Sequence, residues 1–121
     1  MAFRYLNVNP DGLHTEDCVC RAISLASGYS YEEIEYKLYL IAELYECEEL
    51  CLCCYSYLLN DVMKYRKVFC EDMSVAEFAE LYNRGIFLVR MAGHISTVID
   101  GDWYDIWNCG NEILTDAWQV L

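Results

Sequence analysis

An α+β domain, with helices packed on a later antiparallel sheet, is the fold class this sequence predicts. Three observations lead there. Apolar residues recur at helical spacing from Val19 to Ile41 and from Leu58 to Met63, two S-x-x-E capping boxes mark helix starts, and after Ile86 the period changes to two. Helices first and strands afterwards is the order of an α+β fold. At 121 residues the chain is sized for one domain spanning 1–121.

Residues 1–14, closing on Asn9-Pro10-Asp11-Gly12, read as an extended arm and a turn. The first helix follows, with Thr15 as N-cap and Glu16 and Asp17 giving its first turn the negative charge the helix dipole favours. Val19, Ala22, Ile23 and Ala26 form its apolar stripe and Gly28 stops it. Ser30 with Glu33 opens a second helix that buries Ile34, Leu38 and Ile41. Residues 43–56 combine an acidic cluster with Cys51-Leu52-Cys53-Cys54 and follow neither period. A third helix is predicted from about Cys54 to Arg66, and Ser74 with Glu77 caps a short fourth through Tyr82. Strands are predicted at Ile86–Met91, His94–Ile99, Asp102–Trp107 and Leu114–Leu121.

Composition narrows the function. Twenty acidic residues against eight basic ones leave a net charge of −12, which argues against a nucleic-acid partner bound through its phosphates. No apolar run has the length of a membrane span and Met1-Ala2-Phe3-Arg4 has no secretory character, so a soluble, cytoplasmic protein without membrane association is expected. Eight cysteines in that setting read as reduced thiols rather than a disulfide framework. The eleven tyrosines and three tryptophans read as core and groove lining rather than a cofactor box, and no cofactor is expected.

Chemistry concentrates at Cys18. A cysteine at a helix start meets free backbone N–H groups that favour the thiolate, although Glu16 and Asp17 oppose it. Cys20, two positions on and about 200° round the helix, is a poor substitute. Only two histidines exist to serve as its base. His14 lies in a turn without an orienting group, whereas His94 begins a strand that leads into Asp100-Gly101, a strong hairpin signal. A two-residue turn there pairs Ile99 with Asp102, Thr97 with Tyr104, Ser96 with Asp105 and His94 with Trp107. His94 and Asp105 then share a face, and Asn108 takes the orienting role only if the register slips.

These residues carry a resemblance. Thr15-x-Asp17-Cys18-Val19-x-Arg21-Ala22-Ile23-Ser24, Gly93-His94 and Asp100-Gly101-x-x-Tyr104-Asp105-x-Trp107 resemble small papain-like cysteine-peptidase-fold proteins of bacteriophage and mobile-element genomes. The resemblance covers about residues 5–40 and 74–121 and leaves the cysteine-rich middle unmatched. It implies a papain-like fold with Cys18 as nucleophile, His94 as base and Asp105 as orienting residue. The chemistry implied is thiol-dependent hydrolysis of a peptide, a protein or a small amide, in a host cytoplasm if the protein is phage-encoded. The pattern departs from the family in having no glutamine before Cys18, which leaves the Cys18 backbone N–H and Asn9 as oxyanion candidates. A second reading takes that departure as the mark of a fold retained to bind or sequester a host protein. For the middle segment, Cys51-x-x-Cys54 with Cys47 has zinc-ligand spacing but no second pair, and buried free thiols without metal are expected.

Overall fold

The structure, a computed structural model describing residues 1–121, is α+β, with four helices and a six-stranded mixed sheet. In chain order the elements are β1 (Phe3–Tyr5), α1 (Cys18–Ser27), α2 (Tyr31–Tyr45), α3 (Leu52–Tyr57), β2 (Arg66–Lys67), α4 (Val75–Leu81), β3 (Ile86–Met91), β4 (His94–Ile99), β5 (Asp102–Asp105) and β6 (Leu114–Gln119). Strand order across the sheet is β1-β5-β4-β3-β6-β2.

Both expected capping boxes form, Ser30 with Glu33 on α2 and Ser74 with Glu77 on α4. In each, two of the orphan N–H groups of a helix start find partners within four residues of sequence. The β4–β5 hairpin takes the expected register, with Thr97 opposite Tyr104, Val98 opposite Trp103 and Ile99 opposite Asp102. Its turn residues Asp100 and Gly101 both have positive φ, 48° and 85°, the geometry that matches the twist of the flanking strands.

The sheet separates two apolar layers. Val19, Ile23, Ile34, Leu38, Leu58 and Trp118 fill the side covered by α1, α2 and α3. Phe78, Phe87, Val89, Val98, Trp103 and Ala117 fill the side covered by α4. Alternation along β3 sends Leu88 to the first layer and Phe87 and Val89 to the second. Thr97 ties α1 to β4, its hydroxyl donating to the Ala22 carbonyl at 2.8 Å.

Several expectations change. The arm is strand β1, which lies parallel beside β5 and covers the hairpin's open edge, so the sheet is mixed rather than antiparallel. Helix α1 starts at Cys18 with Asp17 as N-cap, so Thr15, Glu16 and Asp17 all precede it. The predicted third helix is α3 followed by a π-helical turn, Leu58–Val62, and its expected end is instead edge strand β2. That turn sets Asn60 to accept from the Trp118 indole N–H at 2.8 Å. Strand β5 ends at Asp105, whose own carboxylate takes the Ile106 N–H at 2.8 Å and removes it from the ladder. Strand β6 ends at Gln119, two residues short of the expected Leu121. No helix is long and apolar enough to cross a membrane.

Candidate active site

Cys18 is the first residue of α1, closer to the helix start than the sequence suggested. No side chain caps that start. The Asp17 carboxylate turns away from it and accepts from Arg21 Nε at 2.6 Å, Asn9 Nδ2 at 2.8 Å and the Tyr31 hydroxyl at 2.8 Å. One carboxylate therefore joins the arm, α1 and α2. Arg21, buried to 6% exposure, continues the chain of charge by donating from Nη1 to Asp105 Oδ1 at 3.0 Å.

Asp105 completes the line. Its Oδ2 meets His94 Nε2 at 2.5 Å, as the hairpin register required, while Oδ1 holds Arg21. Cys109, fully buried, sits with its sulfur 3.9 Å from Oδ2. The Trp107 ring lies against the imidazole, centroids 4.8 Å apart. With Nε2 committed to Asp105, Nδ1 is the ring nitrogen left for the Cys18 side.

The electrostatics follow from this arrangement. Burial alone would push the Cys18 thiol up. Hydrogen bonding to His94 and to the Ile95 backbone, with the charges of His94 and Arg21, overrides burial and holds it below its ordinary value. Burial would likewise lower His94, but hydrogen bonds to Asp105, Cys109 and Cys18 and the charge of Asp105 raise it to about 11. Asp105 is pushed up by burial and brought below its usual range by the His94 hydrogen bond and charge. The arrangement therefore favours the Cys18 thiolate and the His94 imidazolium together. The negative charge of Asp17 does not undo it, because Arg21 neutralises that carboxylate. Cys20 faces the core, and burial first, then Glu35 and Asp17, push its thiol up to about 12.

Two clefts meet at the pair. One, of about 580 Å³, runs past Cys18 and His94 along Thr15, Glu16, Glu48 and Trp107. The other, of about 290 Å³, leaves the same two residues along Leu50, Leu52, Tyr55 and Met91.

Three candidates are placed elsewhere. Asn9 is not free to face an oxyanion, since Nδ2 is held by Asp17 and Oδ1 accepts from the Asp11 N–H at 2.9 Å. Asn108 does not orient His94; its Oδ1 accepts from Trp103 Nε1 and the Gly110 N–H, both at 3.0 Å. The rival base His14 bonds the Tyr5 hydroxyl at 2.8 Å on the surface. Sequence reasoning missed the role of Arg21. Its signal was present, as the only charged residue of α1 and four positions after an aspartate, but the second partner is 84 residues away. Cys109 carried no such signal.

Two groups have donor atoms within 4.8 Å of one another as a metal would need, His94 with Asp105 and Cys109, and Cys47 with Cys51 and Cys53. In the first the carboxylate already serves Arg21 and His94. The second differs from the expected Cys47, Cys51 and Cys54 set, because Cys54 turns inward and donates to the Leu38 carbonyl at 3.3 Å. No family model, curated protein or solved structure matches the chain.

Proposed function

We propose that this chain is a papain-like thiol hydrolase that cleaves a peptide, isopeptide or small amide in a reducing, cytoplasmic setting. The observation that carries the reading is the line from Cys18 through His94 to the buried Asp105, with 2.5 Å between His94 Nε2 and Asp105 Oδ2. Eight free thiols suit the compartment.

In the proposed reaction the Cys18 thiolate attacks the substrate carbonyl carbon, and the carbonyl π electrons move to oxygen. That oxyanion faces the backbone N–H groups at the start of α1, which lack intrahelical acceptors. His94 Nδ1–H gives its proton to the leaving amine as the C–N bond breaks, leaving a thioester on Cys18. Water then attacks the thioester, passes a proton to His94, and the carboxylic product leaves with the thiolate restored. Asp105 keeps Nε2–H pointed at itself and stabilises the imidazolium throughout. Arg21 fixes Asp105 from the other side.

An electrophilic probe followed by intact mass tests this. One adduct per chain is expected, absent from Cys18→Ala, together with turnover of some member of an amide panel that the same substitution abolishes. An adduct that survives Cys18→Ala contradicts the proposal. A second reading, a papain-like fold kept for binding a host protein, is favoured by one observation: no side chain serves as oxyanion donor. Asn9 is held by Asp17, and Gln119, the chain's single glutamine, bonds Arg66 Nη2 at 2.8 Å. On that reading Cys18→Ala leaves partner capture unchanged.

A further inference from the structure

Away from the Cys18–His94 pair, the densest gathering of soft donor atoms is the loop between α2 and α3. After α2 the chain turns through Glu46 at φ 53°, a left-handed conformation that is strained for a residue with a side chain. The Cys47 N–H then reaches back to the Ala42 carbonyl at 3.1 Å, and the Cys51 N–H to the Glu48 carbonyl at 3.1 Å. This double reversal brings the sulfur atoms of Cys47, Cys51 and Cys53 within 4.8 Å of one another, Cys51 and Cys53 closest at 2.7 Å. Cys47 and Cys51 lean on the helical core, while Cys53 is exposed.

Sulfurs bound to one zinc at about 2.3 Å stand roughly 3.8 Å apart, within the 4.8 Å limit of this group, and the Cys51 and Cys53 sulfurs open by about 1 Å to reach that spacing. An all-thiol donor set selects thiophilic cations and has little affinity for magnesium or calcium. Glu46, Glu48 and Glu49 in the same loop add negative charge that attracts a cation. The loop is also a wall of the cleft, since Glu48 lines one side of Cys18 and Leu52 the other, with Leu50 on both.

We propose that Cys47, Cys51 and Cys53 form a three-thiolate site for a soft cation such as zinc(II), and that filling it fixes the loop that walls the Cys18 cleft. The cation replaces three thiol protons, which pass to solvent, and water takes the fourth position on the exposed Cys53 side. Binding is independent of whether Cys18 is a nucleophile, so the two proposals fail separately. The energetic link to the cleft is the cost of ordering residues 46–52, which the bound ion offsets.

The test uses the full chain, stripped with a chelator and kept reduced with a phosphine, titrated with cobalt(II) and then zinc(II). One cobalt per chain with sulfur-to-cobalt charge-transfer absorption is expected, displaced by zinc and unchanged in Cys18→Ala. Cys53→Ser, an exposed change that spares the core, is expected to weaken binding by at least about tenfold. Zinc is expected to slow amide hydrogen exchange across residues 46–52. Absorption that persists in Cys53→Ser, or disappears in Cys18→Ala, overturns the site. Tight binding without slower exchange in 46–52 overturns the clamp.

Discussion

The start of α1 and the α2–α3 loop both place cysteine sulfur at the edge of one cleft, yet they prepare it for different chemistry. At Cys18 burial is overcome by a cation: His94 and Arg21 supply positive charge, and Asp105 holds His94 in its charged form. At Cys51 burial is overcome mainly by the Cys53 thiol and backbone N–H groups, with no cation involved. The two sulfurs differ in what their neighbours can do once the thiolate forms. An imidazolium stabilises the sulfur and then delivers a proton to the leaving group, whereas neighbouring thiols can only share theirs. The first arrangement suits acyl transfer and the second suits coordination.

Removing the imidazole should collapse the contrast most. His94→Ala is expected to slow Cys18 acylation at neutral pH by about 10²- to 10⁴-fold, the range of a lost general acid–base partner. Labelling rates at Cys51 and Cys53 should not move, and time-resolved peptide mass spectrometry reads both sites at once. Equal slowing at both would mean that His94 acts on the whole fold.

Asp105→Asn sharpens the same contrast with a smaller loss, about 10- to 10³-fold in Cys18 acylation, because an amide can hold the wrong imidazole tautomer. Asn108→Ala should leave that rate unchanged. Its expected cost is about 1 kcal/mol of stability in a urea titration, from the lost bonds to Trp103 and Gly110.

Arg21→Met tests whether the Cys18 side rests on buried charge. It leaves Asp17 and Asp105 without their shared cation, which should cost about 3–5 kcal/mol in denaturant unfolding. Met keeps much of the packing volume, so a loss below about 1 kcal/mol would show that the two carboxylates find other partners.

The remaining test is a pH slope. His94 is raised in the folded protein from 6.5 to about 11. Its stabilising contribution is therefore complete below pH 6.5 and is lost as pH rises through about 11. Asp105 is lowered, so its contribution is present above 3.8 and is lost as pH falls through its folded value. Thermal unfolding across this range should show stability declining on the alkaline side. His94→Gln should flatten the decline, and an unchanged slope would mean that another group titrates there.

How far the sequence could be read depended on how local each signal was. The Asp100-Gly101 turn set the β4–β5 register, and with it the meeting of His94 and Asp105, because its geometry is decided within four residues. The Ser30–Glu33 and Ser74–Glu77 boxes were legible for the same reason. Strand β1 was read as an arm because a three-residue strand has no period and its partner Trp103 lies 100 positions from Phe3. Asp17 displaced Thr15 at the head of α1 because its partners Asn9, Arg21 and Tyr31 converge only in the fold. The same convergence removed Asn9 as an oxyanion donor. In the 46–51 loop the reversal at Glu46 exchanged Cys54 for Cys53 in the thiol cluster, which neither helical nor strand spacing reveals.

On the proposed function, Cys18 is the thiol made nucleophilic by its surroundings. Limiting iodoacetamide at neutral pH, with the labelled peptides quantified by mass spectrometry in metal-free and zinc-loaded protein, tests it most directly. The Cys18 peptide is expected to be alkylated first in both states, with zinc protecting only Cys47, Cys51 and Cys53. Alkylation of Cys51 or Cys53 ahead of Cys18 in either state would contradict it.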